Sequence, residues 1–515
     1  MSGSPFKRVG VVGAGAMGRG IVQLYAQAGC DTVLFDTQPA AVTAALDSLR
    51  DTFGKLAEKG RMTPEGAAAA MARITPVDAL QGFADCDLVI EAIIERLDVK
   101  RDLFMLLESI VAPDAVLVSN TSSLSITAIA AACNRPERIA GYHFFNPVPL
   151  MKVVEVVRGA RTAQDPIDRL VALARMAGHA PVVCQDTPGF IVNHAGRAFG
   201  PESLKALHEG VADVPTIDRI LREQVDFRGA AFKLGPFELM DLTGLDVSHP
   251  VMESIYHQYY EEARYRPSVI GAQRVSAGLF GRKTREGFYR YEAGVQQSPV
   301  EPPAPAATPG TPVWIAPGEA RAALCALVEA LGGRVDDGAV AAPDSIILVA
   351  PLGLDATTAS IGLDARRVVA IDTLFPFAAR ACKRRTIMFT PATTPQVRAT
   401  AHGLFAADGA RVSLLNDSAG FIAQRVVAMI VCVAGEIAQQ RVASPADIDT
   451  AVRLGLGYPM GPLAMGDHLG PRRVVQVLEG MLAVTGDPRY RPGLWLSRRA
   501  KLGLSLLQGD DGVAP

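Results

Sequence analysis

The stretch RVGVVGAGAMGRGI, Arg8 to Ile21, decides the fold. A β-branched run ends at Val12, three glycines follow in a GxGxxG spacing, and an apolar segment of helical period begins. Gly13 permits a tight turn and Gly15 lets backbone approach a pyrophosphate. Gly18 allows close helix–strand packing, and free amides at the helix start face the anion. Gly13, Gly15, Ala16, Met17 and Gly18 are therefore the expected dinucleotide-binding turn. Such a motif also occurs in ordinary glycine-rich turns, so its surroundings matter. VLFD closes a second strand at Asp36, 18 residues beyond Gly18. A carboxylate there accepts hydrogen bonds from the adenosine ribose and repels the extra phosphate of NADP, which makes NAD the expected cofactor. The plainer alternative for Asp36 is a solvated residue at a strand end.

Outward from this turn, short β-branched runs alternate with longer helical patterns. Arg8–Val12, Thr32–Phe35, Leu88–Glu91, Val116–Ser119 and Ile139–Phe144 read as strands of a parallel, doubly wound sheet. From about Asp186 to Tyr291 the pattern becomes helical, as in Ala195–Glu209 and His249–Glu262. SPVEPPAPAATPGTP, Ser298 to Pro312, has no apolar period and reads as extended, semi-rigid linker. Across it the chain repeats itself. DTPGFIVN (Asp186–Asn193) returns as DSAGFIAQ (Asp417–Gln424), and LGPFELMDLTG (Leu234–Gly244) as MGPLAMGDHLG (Met460–Gly470), at an offset of about 230 residues. AIDTLFP (Ala370–Pro376) stands where the first half has GYHFFNP (Gly141–Pro147). Only 20 positions separate Ala350 from Ala370, whereas 49 separate Ala92 from Gly141, so a strand and its loop are expected to be missing. The expected order is an α/β dinucleotide-binding domain over 1–185, an all-α domain over 186–296, the linker over 297–312, a degenerate α/β domain over 313–414, and a second helical copy over 415–510.

Bulk composition agrees with several domains. At 515 residues the chain exceeds one ordinary core, and roughly three or four are expected. With 49% hydrophobic and 20% charged residues it has ample material for burial, which excludes a disordered scaffold. Fifty-one basic against 53 acidic residues leave no field to hold nucleic acid or an anionic membrane, so neither is an expected partner. The seven cysteines are scattered, without a CxxC pair, and no metal site is expected. That usage fits a reducing compartment. The longest apolar run, Val426–Ala434, falls far short of the roughly 20 residues that span a bilayer, and a cytoplasmic location is expected.

Three further segments carry chemistry: SNTSS (Ser119–Ser123), HFFNP (His143–Pro147) and MKVVEVV (Met151–Val157). All lie at or just beyond strands, where open α/β sheets place ligands. A lone histidine after a strand is more often structural than catalytic. Glu155, flanked on both sides by β-branched residues, needs a partner if its strand is buried. His143 would satisfy it, and the carboxylate would fix the imidazole tautomer, a base with its orienter. The alternative is an edge-strand glutamate facing solvent.

Taken together, GAGAMG, Asp36, EAIIE (Glu91–Glu95), SNTSSLSI, HFFNPVPLMKVVEVV, DTPGFIVN, LGPFELMDLTGLD and GRKTREGFYRY (Gly281–Tyr291) resemble the L-3-hydroxyacyl-CoA dehydrogenases, in order over about residues 6–292. The duplicated second half is similar to the long bacterial members that act on 3-hydroxybutyryl-CoA or, in phenylacetate breakdown, 3-hydroxyadipyl-CoA. The resemblance implies a Rossmann-like domain with a helical domain, both followed by degenerate copies, and NAD-dependent oxidation of a 3-hydroxyacyl-CoA. By the same likeness His143 is the general base, Glu155 supports it, and Ser122 and Asn193 bond the substrate oxygen or the thioester carbonyl. Glu95 and Lys100 fall near the nicotinamide-side ribose, with Ser122 and Asn146 also at the cofactor. Ser48 and Lys55 meet the CoA moiety, although their helix could equally be a solvated face. A terminal acyl carboxylate would want a cation, and Arg197, Lys233 and Arg264 are the candidates.

Departures are also visible. RGAAFKLGPFE (Arg228–Glu238) replaces the family's Gly-x-Pro-x-Gly-Pro turn, which the second copy keeps as GYPMGP (Gly457–Pro462). Asp372 occupies the His143 position, Gln424 the Asn193 position, and SNTSS has no counterpart, so the second half is expected to be inactive. In single-copy relatives the helical domain makes the dimer interface. An intrachain pseudo-dimer is thus one expectation, a homo-oligomer another. The competing functions are a dehydrogenase of a free hydroxy or sugar acid and a catalytically silent NAD-binding assembly protein.

Overall fold

The structure, a computed structural model, describes residues 4–509. Residues 1–3 of the first expected domain and residue 510 of the last lie outside the described residues. The first sheet has eight strands: β1 (Arg8–Val12), β2 (Asp31–Phe35), β3 (Ile74–Pro76), β4 (Leu88–Glu91), β5 (Val116–Ser119), β6 (Ile139–Phe144), β7 (Val153–Arg158) and β8 (Ala180–Gln185). Their order is β3-β2-β1-β4-β5-β6-β7-β8. Every pair is parallel except β6 with β7, so β7 and β8 run opposite to the rest. The central strands are buried on both faces because helices cover both, which explains the unbroken runs of Val, Ile and Leu. One layer of core joins Val9, Val11, Ile90, Val118 and Tyr142 to Ile21, Leu24 and Leu170. There the Tyr25 hydroxyl donates to the Tyr142 hydroxyl (2.9 Å), which donates to the Leu170 carbonyl (3.2 Å), so neither phenol is buried unpaired.

After the β9 (Arg290–Glu292) and β10 (Val295–Gln297) hairpin, a second sheet forms from β11 (Pro312–Ile315), β12 (Arg334–Asp336), β13 (Ile346–Val349), β14 (Val368–Ile371), β15 (Arg384–Phe389) and β16 (Arg411–Leu415). Its order is β12-β11-β13-β14-β15-β16, again with one antiparallel pair, β14 with β15. The shortfall is two strands, where the sequence suggested one. Two matching caps show which. Asp186 accepts from the Ser125 hydroxyl and the Ile126 and Thr127 amides, at the start of the helix after β5. Asp417 accepts from the Ala356 and Thr357 amides, at the start of the helix after β13. β13 therefore corresponds to β5, and the second copy lacks counterparts of β3, of β4 and of the helix Leu97–Ile110.

By compactness the chain divides into one unit running to His194 together with Gln440–Leu456, and another of Ala195–Gln439 with the chain from Gly457 on. These units cut across the repeat. In the first, the segment from the second copy joins the first sheet: the Gln185 amide at the end of β8 donates to the Val442 carbonyl (2.8 Å), and the helix Pro445–Gly455 packs on β7 and β8. In the second, the Asn416 amide after β16 donates to the Val211 carbonyl (3.1 Å), and the helix Val214–Glu223 packs on β15. The pairs sit at equivalent places in the repeat, so each helical copy reaches the sheet that belongs to the other.

The second unit is held by buried, charge-assisted bonds. Arg425 reaches Glu202 (2.7 Å), Glu209 (2.8 Å) and the Tyr490 hydroxyl (2.8 Å), an arrangement that leaves no charge alone in the core. Arg264 donates to the Arg491 carbonyl (2.7 Å) and pairs with Glu436 (2.9 Å), while Arg489 donates to the Arg266 carbonyl (3.2 Å). This exchange joins ARYRP (Ala263–Pro267) to the similar PRYRP (Pro488–Pro492) and corrects one expectation: the Arg264 guanidinium is committed to the fold. The proline-rich stretch is pinned where Glu301 receives both terminal nitrogens of Arg384 (2.7 and 2.8 Å). Among the described residues no helix is long and apolar enough to cross a membrane.

Candidate active site

The glycine turn is built for close approach. Gly13 has φ 108°, a conformation that disfavours any Cβ. A Cβ on Gly18 would stand 1.8 Å from the Gly13 carbonyl oxygen, which is why the helix Ala16–Gln27 can start so near the turn. A Cβ on Gly15 would meet nothing within 4 Å, so the turn presents open backbone over the helix N-terminus. Asp36 follows β2, where its two oxygens accept from the Ala14 (2.8 Å) and Gln38 (2.9 Å) amides. Each oxygen keeps a second acceptor direction for a ribose hydroxyl. This cradle fits a dinucleotide with an unphosphorylated 2′ position.

A polar cluster continues past β4. Lys100 is 1% exposed and lies 2.5 Å from Glu91 and 3.2 Å from Glu95. Glu95 also accepts from the Thr121 hydroxyl (2.5 Å), the Ser122 amide (3.0 Å) and the Ser123 hydroxyl (3.0 Å). Burial alone would raise the Glu95 carboxyl, but Lys100 and these donors outweigh it and hold the carboxyl below its ordinary value. The SNTSS loop is thus tied to the β4 loop, and Asn120 Oδ1 accepts from the Phe144 amide (2.9 Å), tying it to β6 as well. Asn120 and Glu91 lie inside SNTSS and EAIIE, where no local pattern sets them apart from their neighbours.

His143 and Glu155 sit on β6 and β7. Their antiparallel register sets His143 directly opposite Glu155, so the two side chains leave the same face of the sheet. His143 Nδ1 stands 2.6 Å from Glu155 Oε2, and the carboxylate is fully buried. Its other oxygen accepts from the Ile191 (2.9 Å) and Val192 (2.8 Å) amides. Three donors therefore fix the carboxylate from two sides. With Nδ1–H given to Glu155, Nε2 keeps the lone pair a base requires. The imidazole is confined by Phe145 and Phe190, with ring centroids 4.4 and 5.8 Å away. Asn193 Nδ2 donates to the Ser122 carbonyl (3.3 Å), which brings the two expected substrate-binding residues together. The Ser122 hydroxyl makes no hydrogen bond among the described residues, and Asn146 is exposed in the turn after β6.

The remaining expected positions stand on other elements. Ser48 and Lys55 share one face of the helix Pro39–Glu58, seven positions apart, and Lys55 is exposed and paired with Asp51 (3.0 Å). Arg197 is buried in the second unit, where burial lowers its guanidinium to about 10 against the opposing influence of Tyr458. Lys233 is exposed in that unit.

In the second sheet the equivalent site is closed. Asp372, one residue past β14, takes the place of His143, and Thr386 on β15 that of Glu155, since the Asp372 amide donates to the Thr386 carbonyl (3.0 Å). Gln424 Nε2 donates to Asp372 Oδ1 (2.9 Å), and Gln224 Nε2 donates to Oδ2 (2.9 Å). The Thr386 hydroxyl donates to Gln224 Oε1.

Comparison with known proteins gives this geometry a family. Residues 8–187 match "3-hydroxyacyl-CoA dehydrogenase, NAD binding domain", and "3-hydroxyacyl-CoA dehydrogenase, C-terminal domain" matches twice, over 189–291 and 420–513. The chain is 38% identical over 498 residues to the 3-hydroxyadipyl-CoA dehydrogenase of Escherichia coli, covering 96% of this chain and 97% of that one. A crystal structure of 3-hydroxybutyryl-CoA dehydrogenase from E. coli superposes with a TM-score of 0.84 at 36% identity, covering 96% of this chain and 98% of that chain. A probable 3-hydroxybutyryl-CoA dehydrogenase of Deinococcus radiodurans is 42% identical over 284 residues, 55% of this chain and all of its own. The chain belongs to the 3-hydroxyacyl-CoA dehydrogenase family, NAD-dependent oxidoreductases that act on the 3-hydroxyl of an acyl-CoA.

Proposed function

We propose that the first half oxidises (S)-3-hydroxyacyl-CoA to 3-oxoacyl-CoA with His143 as general base, and that the second half has no dehydrogenase activity of its own. The observation that carries this reading is the 2.6 Å His143–Glu155 contact, with the carboxylate anchored by two backbone amides. Imidazole Nε2 takes the 3-hydroxyl proton while Glu155 stabilises the imidazolium that forms. Ser122 and Asn193 direct polar groups at the oxygen on which charge develops. Bound at the Gly13–Gly18 turn, NAD would supply the acceptor for the hydride that leaves C3. Asp36, Glu95, Lys100 and Asn146 are the side chains that would hold it, and Ser48 and Lys55 would meet the CoA.

The full-length likeness to an enzyme named for 3-hydroxyadipyl-CoA favours an acyl group with a terminal carboxylate, and the other relatives favour 3-hydroxybutyryl-CoA. NADH formation measured with both thioesters separates these choices by kcat/KM, and turnover of neither overturns the reading. His143→Gln should cut kcat by about two to four orders of magnitude with folding preserved. The reciprocal Gln185–Val442 and Asn416–Val211 bonds support a second copy that serves as an internal partner. Deleting residues 298–515 should give an aggregating or newly dimeric protein, and a soluble, fully active monomer overturns that role.

A further inference from the structure

We propose that Gly455, contributed by the copy that has lost its own chemistry, is a positioning residue of the His143 site. The helix Pro445–Gly455 ends against Val192, and a Cβ on Gly455 would stand 2.9 Å from both Val192 Cγ atoms. Gly455 does not have a positive φ, so backbone conformation does not call for glycine here. Gly455 closes its helix in helical conformation, where alanine is the better helix former, so its presence needs a reason, and the close approach supplies one. Val192 cannot move aside cheaply. It is β-branched, 1% exposed, and its amide is one of the two that hold Glu155 Oε1. Asn193 is the next residue in the chain. A side chain at 455 would therefore press on the peptide that fixes the orienting carboxylate and the substrate-binding amide together.

The other half of the molecule carries out the contrasting case. The helices Pro445–Gly455 and Val214–Glu223 occupy the same place in the repeat and are capped alike, by Ser444 and Asp213. The position equivalent to Gly455 is Gln224. Its side chain reaches Asp372 and Thr386, the positions of His143 and Glu155 in the inactive sheet. Where the chemistry is gone this position fills the site. Where the chemistry remains it carries no side chain, and the glycine belongs to the opposite copy. The second copy thus completes the live site through an absence of atoms.

The proposal rests on His143 and Glu155 as the reacting pair, and the parent enzyme's own turnover tests that separately. In the full-length chain, Gly455→Ala should lower kcat by about ten- to a hundredfold, the scale of a misplaced catalytic group, with KM for NAD and NADH binding measured by fluorescence unchanged. Val192→Ala removes the two Cγ atoms, so the Val192→Ala/Gly455→Ala double variant should return kcat to within about threefold of the parent, a non-additivity expected of residues in contact. Gly455→Ala with parental kcat overturns the proposal, as does a loss that Val192→Ala fails to relieve. If Gly455→Ala does not fold, the double variant decides alone: it must fold and turn over, and a double variant that is unfolded or inactive overturns the idea.

Discussion

β6 with β7 and β14 with β15 are the same antiparallel corner of a sheet, reached twice by one chain and put to opposite uses. In the first, His143 faces Glu155, and every bond to the carboxylate comes from the imidazole or from backbone. One nitrogen is left to do chemistry. In the second, Asp372 accepts from Gln424 and Gln224 side chains and from the Leu374 amide, so both carboxylate oxygens are held by protein donors. On the proposed function, the difference is that between a catalytic site and a structural one. Its polar groups are buried in either case, and once no substrate visits, they must be satisfied by protein.

Several substitutions would break or sharpen that contrast. The largest effect belongs to Glu155→Gln, which should lower kcat by about two to three orders of magnitude, because the amide no longer stabilises imidazolium or enforces the tautomer. Parental kcat in this variant would place the base elsewhere. Ser122→Ala should cost about ten- to a hundredfold in kcat, read in the same assay, since one aimed hydroxyl is lost while the backbone bonds of the loop remain. Asp372→Asn should leave kcat unchanged and alter stability instead. Burial raises the Asp372 carboxyl above its ordinary value, against the hydrogen bonds it accepts. The folded state thus binds its proton more tightly than the unfolded state, and the associated stability is full below the unfolded value of about 3.9 and fades as pH rises through the folded one. Denaturant unfolding across that range should decline less steeply in Asp372→Asn than in the parent; identical profiles would count against a titrating Asp372. The smallest effect is expected from rebuilding the inactive corner. Asp372→His with Thr386→Glu and Gln224→Gly, in a His143→Gln background, should yield NADH no faster than His143→Gln alone, since the second copy has no counterpart of β4 or of the glycine turn. Turnover above that background would show that side chains alone silenced it.

Much of this was legible in the residues themselves. The glycine turn, Asp36 and the alternation of strands sufficed for the fold, because each is a local pattern with one backbone solution. His143 and Glu155 lie twelve positions apart with a turn between, and an antiparallel pair brings such residues face to face. The repeat was visible because DTPGFIVN and DSAGFIAQ preserve a cap: Asp186 and Asp417 hold the first turns of equivalent helices. What the residues concealed depends on contacts across the repeat. Gln224 follows an ordinary amphipathic helix, and its role appears only when that helix meets β15. Arg264 looked available to a substrate because its partners, the carbonyls at 489 and 491 and the Glu436 carboxylate, are far off in the chain and leave no local mark in sequence. The extent of the deletion was also hidden, since a short edge strand such as β3 has too few residues to show a period.

The Gln185–Val442 bond carries a consequence for how the enzyme behaves in dilute solution. In a protein assembled from separate subunits, the fraction of complete sites falls with concentration once it drops below the dissociation constant. Here residues 440–456 reach the catalytic sheet along the same covalent chain, so the encounter is intramolecular and its effective concentration is set by the connecting polypeptide. Specific activity should therefore stay constant over a dilution series.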